Sequence, residues 1–250
     1  MSTKRLYLVI LMLAIGCQQA GIAQEKPTAA TKSTPANAEL DPQLKVNKDA
    51  LLNGSIDAAT VMLFHDNPKA REILLDALKQ SKNSPARMAV CKALNQARVS
   101  KKAVKNDKDF IEPLLGVFDT KTDAEAQLAA EATLIYEYDK IREPLDKIFT
   151  DPNKPVKTKI NAIHALKLRL GMKATIRLIE LVDDPDRRVS AEAENALHSL
   201  GIPVGEDPQT RKQNIDAIED QGQVAFLRTQ LIRQDAQMRK EKAALDLWQR

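Results

Sequence analysis

Leucines recur at Leu63, Leu94, Leu134, Leu166 and Leu197, each four residues after a small or β-branched residue: Ala59, Val90, Ala130, Ala162 and Ala193. They lie 31, 40, 32 and 31 residues apart, a spacing typical of stacked helical repeats. Four residues further back stand Ser55, Ala86, Ala126, Thr158 and Val189. Steps of four stay on one side of a helix, so each triplet predicts the buried stripe of a helix whose small residues let a neighbour approach closely. A second apolar set precedes it. Leu75 and Leu78, Leu115 and Phe118, and Leu178 and Leu181 lie 19 and 16 residues ahead of their leucines, while Leu145 and Phe149 are slipped slightly. Fixed spacing inside a variable outer period makes a helix pair the repeating unit. The 40-residue step then places its extra residues between units, around Arg98 to Asp109.

Polar punctuation agrees with this division. Asn83-Ser84-Pro85, Asp151-Pro152-Asn153 and Asp184-Pro185-Asp186 separate the two helices of a pair. Asp, Asn and Ser cap the helix that follows, and Pro is tolerated in its first turn. Gly201 and Pro203 stop the last repeat. Beyond them Asp207-Pro208 starts a helix to about Asp220, Gln221-Gly222 breaks it, and the rest runs on without Gly or Pro. In that last stretch Leu231, Met238 and Leu245 recur every seven residues, with Leu227 and Trp248 on the adjoining edge. Gln234 and Glu241 interrupt the edge and argue against a long coiled coil. Its first half, near Leu227 and Leu231, is expected to pack on the last repeat. The far half, with Arg239, Lys240, Lys242 and Trp248, is expected to project.

The stretch DPDRRVSAEAENALHSLG (184–201) resembles the HEAT repeat, in the short form found in phycobilisome-lyase-like proteins. NSPARMAVCKAL (83–94) and DPNKPVKTKINAIHAL (151–166) are looser copies, and the resemblance extends from Ser55 to Gly201. The Arg that usually follows the first residue of the triplet stands here only at Arg87, with Gln127, Lys159 and Ser190 elsewhere, so no continuous polar ladder is expected. Periodicity and resemblance together imply an all-α chain. It would be a right-handed α-solenoid of about five stacked helix pairs over 42–203, followed by a helical extension over 204–250.

The N-terminus adds an address. Lys4 and Arg5 precede an apolar run from Leu6 to Ile15, ten residues and too short to span a bilayer, so residues 1–23 predict an export signal. Two processing sites compete. Gly21-Ile22-Ala23 suits cleavage before Gln24, whereas Ala14-Ile15-Gly16-Cys17 resembles a lipoprotein box that would lipidate Cys17 and tether the chain to a membrane. Either way the expected location is extracytoplasmic, periplasm or cell envelope, with no integral span in the mature chain. Residues 24–41, rich in Ala, Thr, Pro and Lys without apolar period, predict a flexible linker.

Composition changes the picture only by exclusion. Removing Lys4 and Arg5 leaves 36 basic against 34 acidic residues, and aromatics are 4 % of the chain. A nucleic-acid partner is therefore not expected. The basic stretch Arg98, Lys101, Lys102, Lys105 and Lys108 is diluted by Asp107 and Asp109 and reads as a solvated loop. His65, His164 and His198 share no metal-ligand spacing, and Asp183, Asp184 and Asp186 lack the Gly and distal Glu of a calcium loop. Cys91 falls at a core position of its helix and reads as a small hydrophobe. No cofactor and no enzymatic activity are expected. The positions that project away from the buried stripe read Pro85, Ala89, Lys92, Gln96; Glu125, Ala129, Ala132, Tyr136; Lys157, Asn161, His164, Leu168; and Arg188, Glu192, Asn195, Ser199. The family resemblance places this row on the concave side. Lys92, Gln96, Tyr136, Asn161, His164 and Asn195 are the expected contacts to a protein partner. The leading expectation is a scaffold or adaptor. The alternatives are a lyase-like or catalytic-accessory repeat protein, or a lipid-anchored structural protein of the envelope.

Overall fold

A computed structural model describes residues 41–248. The export signal, Cys17 and the linker up to residue 40 lie outside them. Among the described residues every regular element is helical: α1 (Pro42–Leu52), α2 (Ile56–Leu63), α3 (Pro68–Lys79), α4 (Ser84–Val99), α5 (Ile111–Gly116), α6 (Asp123–Ala132), α7 (Tyr138–Thr150), α8 (Val156–Lys167), α9 (Met172–Leu181), α10 (Arg187–Ser199) and α11 (Pro208–Trp248). No described helix is long and apolar enough to cross a membrane.

The polar punctuation does its expected capping at most boundaries. The side chains of Asp41, Ser55, Asn67, Asn83 and Asp186 accept from backbone N–H groups in the first turns of α1, α2, α3, α4 and α10. His65 helps shape the turn before α3, its Nδ1 accepting from the Asn67 amide at 3.0 Å. The Asp151 segment behaves differently. Asp151 accepts from the Asn153 amide inside the turn at 2.8 Å, and α8 begins only after Pro155, without a side-chain cap. Lys154 and Pro155 lengthen this turn and carry Asp151 out of reach. At the end of α10, Gly201 takes a left-handed φ of 67°, and the amides of Gly201 and Ile202 donate to the carbonyls of His198 and Leu197. This is the Schellman pattern of a helix stopped by glycine.

Each odd-numbered helix up to α9 packs on the helix that follows it, and α2, α4, α6, α8 and α10 pack on one another in chain order. The small residues of the repeating triplets make that possible: Ala59, Ala86, Val90, Ala130, Ala162 and Ala193 are all buried, as are Leu63, Leu94, Leu166 and Leu197. Leu134 departs from the pattern and is half-exposed. The α-helical part of its segment stops at Ala132, and a 3₁₀ turn over Thr133–Ile135 rotates Leu134 off the stripe and brings Thr133 and Tyr136 inward.

Polar links run from unit to unit. Lys140–Asp107, Lys157–Asp123 and Lys173–Asp139 join residues 33, 34 and 34 positions apart, about one repeat each. Arg87 reaches Glu125 across 38 positions. Arg87 thus supplies one of these links, and other residue types supply the rest.

The Arg98–Asp109 stretch is largely exposed, as expected of a solvated loop, and its side chains also reach neighbouring elements. Lys105 pairs with Asp66, Asp109 with Arg71 at 3.3 Å, and Asp107 with Lys140 at 3.3 Å. The Lys102 ammonium sits 3.7 Å from the centre of the Phe64 ring, and the Tyr136 hydroxyl donates to the Asp107 carbonyl at 2.9 Å.

Helix α11 packs on α9 and breaks at Gly222, as the sequence predicts (φ 74°, ψ 160°). The face it buries is not the expected one. Leu227 and Leu231 are exposed, and Phe226 and Gln230 are buried instead. The Gly222 geometry rotates the following helix by about one residue (roughly 100°) relative to the predicted register. That backbone region is essentially restricted to glycine, and forcing another residue into it costs about 1–3 kcal/mol. Gly222→Ala is accordingly expected to lower unfolding stability by that amount in urea, or to straighten α11 and expose Phe226, which trypsin cleavage at Arg228 would report.

Candidate functional site

Four of the six expected contact residues reach solvent. Lys92 and Gln96 on α4 and Asn195 on α10 are exposed, and His164 on α8 is half-exposed. Gln96 Oε1 accepts from the Thr60 hydroxyl at 3.2 Å, and His164 Nε2 lies 3.1 Å from Glu192 Oε1, so both side chains are partly oriented by the neighbouring unit.

Tyr136 and Asn161 do not belong to the contact row. Tyr136 is buried because the 3₁₀ turn folds it under the Arg98–Asp109 stretch, where its hydroxyl meets the Asp107 carbonyl; burial pushes its ionisation up, with Asp107 and Asp109 adding to the effect. Asn161 is buried with its Nδ2 donating to the Phe118 carbonyl at 2.9 Å, satisfying a backbone group left over by the 3₁₀ turn that follows α5. Glu125, Ala129 and Ala132 on α6 are buried too. The predicted row is therefore interrupted at α6, and α4 offers one exposed patch while α8 and α10 offer another.

Sequence reasoning missed a cleft. About 1020 Å³ opens between the α3–α4 and α5–α6 turns, floored by Arg87 and Glu125, with Lys79, Glu112 and Lys121 at its mouth. Gly116 widens it, since a Cβ there would meet open space. Arg87 Nη2 donates to Glu125 Oε2 at 2.6 Å and to the Ser81 carbonyl at 3.2 Å, and the Thr120 hydroxyl donates to the same carboxylate oxygen. Burial works to raise the Glu125 ionisation, but hydrogen bonding from Ser84 and Thr120 and the Arg87 charge outweigh it and hold the carboxyl below its ordinary range. Glu125 therefore stays ionised near neutral pH and is a poor general acid there. The signal was present in the register: Arg87 is seven residues before Leu94 and Glu125 nine before Leu134. The two flank the buried position of their helices on opposite sides, so a base on one flank meets an acid on the facing flank of the next even-numbered helix.

Cys91 gives no support to thiol chemistry. It is buried in α4, and burial pushes its thiol up to about 12. With Cys17 replaced by Ser, the folded protein at pH 8 should hold only about 10⁻⁴ of this thiol as thiolate. Labelling by a disulfide reagent is expected to be negligible over minutes in buffer and complete in guanidinium. Rapid labelling of the folded chain would contradict the buried placement. Among the described residues no three His, Cys, Asp or Glu side chains come together as a possible metal set.

No family model, curated protein or solved structure matches the chain.

Proposed function

We propose that this chain is an exported, non-enzymatic scaffold of the HEAT-like type that binds a protein partner through the exposed positions of its even-numbered helices. The proposal takes the helix pairs over 42–203 as a right-handed α-solenoid and the 204–250 segment as its helical extension. The observation that carries it is the packing of α2, α4, α6, α8 and α10 in chain order, with polar links about one repeat apart. Such an arrangement sets side chains from successive units at regular intervals along an extended surface. Lys92, Gln96, His164 and Asn195 are its contact residues.

Site-specific photocrosslinking in cells tests it. A crosslinking residue at Lys92 or Asn195 should capture one and the same protein, and one at Glu72, exposed on α3, should not. Capture lost on Gln96→Arg or His164→Glu would tie the partner to this row. Equal capture from Glu72 would overturn the assignment. The extracytoplasmic location is part of the same proposal, and the mass of the mature N-terminus decides its form. A terminus at Gln24 means a released chain, and a lipid-modified Cys17 means a membrane tether.

A further inference from the structure

The side of α11 turned away from the helix pairs carries an apolar series that the fold does not use. Past Gly222, Val224, Leu231, Met238 and Leu245 follow at steps of seven, and each keeps between 59 and 82 % of its surface exposed. Leu227 lies beside them and is also exposed. At 100° per residue these five fall within about 60° of the helix circumference, and the buried Phe226 and Gln230 lie about 90–130° away from the centre of that stripe. The helix thus has one face spent on the rest of the chain, at Phe226 and Gln230, and an apolar one left open.

We propose that the open stripe packs against the same stripe of a second copy, making the chain a homodimer through the part of α11 beyond Gly222. The proposal is independent of the partner-binding row. Three observations select a second copy over a lipid surface or an unrelated groove. A step of seven residues is the spacing of a helix-on-helix seam, which stays against a partner helix as the two wind round each other. A helix lying in a membrane interface needs a broad apolar face. Here the stripe is narrow, and Gln234, Asp235 and Glu241 fall in or beside it. The flanking charges alternate, Arg228, Asp235, Lys242, and are self-complementary only in one arrangement, in which Asp235 shares Lys242 of the other copy with Arg239 of its own helix, 2.7 Å away. With the helices antiparallel and overlapping over residues 231–248, Asp235 of each copy stands beside Lys242 of the other, twice by symmetry. A parallel pair would instead set Glu241 against its own copy in one layer of the seam. The overlap is about 26 Å long, at the small end of specific interfaces, so dimerisation is expected at roughly micromolar concentration.

Sedimentation velocity of the chain over roughly 1–100 µM tests this directly, a range chosen to bracket that affinity. The weight-average mass should rise towards twice the monomer mass. Leu231→Glu combined with Met238→Glu should leave a monomer throughout with unchanged helicity and unfolding midpoint, both positions being exposed. Asp235→Lys and Lys242→Asp should each weaken association at least about tenfold, and the two together should restore it. Four results would overturn the proposal: a monomer at every concentration, a dimer indifferent to the Leu231/Met238 pair, a charge swap without recovery, or a monomer that uses the stripe to bind anionic vesicles.

Discussion

Glu125→Ala is expected to destabilise the protein by about 3–5 kcal/mol, among the largest effects of any single substitution in the chain. The cause is what it leaves behind. Arg87 is 6 % exposed, and its guanidinium meets the Glu125 carboxylate at 2.6 Å. Without that carboxylate a buried charge remains, with the Ser81 carbonyl as its remaining hydrogen-bond partner among the described residues. Replacing both members, Arg87→Met with Glu125→Leu, should recover most of the loss, because the pair's attraction largely offsets its own desolvation. Urea denaturation of the two single variants and the double variant checks this. Near-additive losses would show that the two side chains do not act as a pair. The pH dependence has a definite sign. The folded carboxyl is held below its ordinary value, so its contribution is fully present above the unfolded value, near 4.5, and is lost as pH falls through the folded one. Acid should thus weaken the wild type in a range where Glu125→Gln, already weakened, changes less.

Leu166→Ala should cost about 2–5 kcal/mol, the range for buried leucines replaced by alanine. Leu166 is 1 % exposed at the end of α8, and α8 packs on α6, α7, α9 and α10. A cavity there loosens two units at once, so the unfolding transition should broaden as well as shift. Leu134→Ala, at the equivalent register position but half-exposed, should cost markedly less. Equal losses at the two sites, or a change at Leu166 under about 0.5 kcal/mol, would mean the register is misassigned.

The helical pairs were legible because burial imposes a period on the residues themselves. Ala59, Ala86, Ala162 and Ala193 had to be small for neighbouring helices to meet, and Leu94, Leu166 and Leu197 had to fill what was left. Reading failed where local geometry departed from the ideal helix. One 3₁₀ turn at Thr133–Ile135 was enough to exchange Leu134 for Tyr136, turning an expected contact residue into a buried one. Gly222 did the same for α11, where a rotation of one position exchanged Leu227 and Leu231 for Phe226 and Gln230. Asn161 was misread because an orphaned backbone carbonyl, invisible in a linear pattern, claimed it. The candidate row was therefore legible at Lys92, Gln96, His164 and Asn195, and illegible at Asn161 and along α6 to Tyr136. The cleft went unseen because it depends on two residues, Arg87 and Glu125, that meet only across units.

The Arg98–Asp109 stretch changes how the chain should come apart. A stack held only by neighbour contacts can fracture at any junction, each with its own independent strength. Here one segment grips Asp66 and Arg71 on one side and Tyr136 and Lys140 on the other, so it straddles junctions from the α2–α3 turn to the start of α7. Breaking any one of them means breaking the strap too. Exposed pairs such as Lys105–Asp66 contribute little each, but together with the Tyr136 hydroxyl bond they link the opening of α3 to that of α7, while the contact between α8 and α10, which the segment does not cross, is expected to open independently of them.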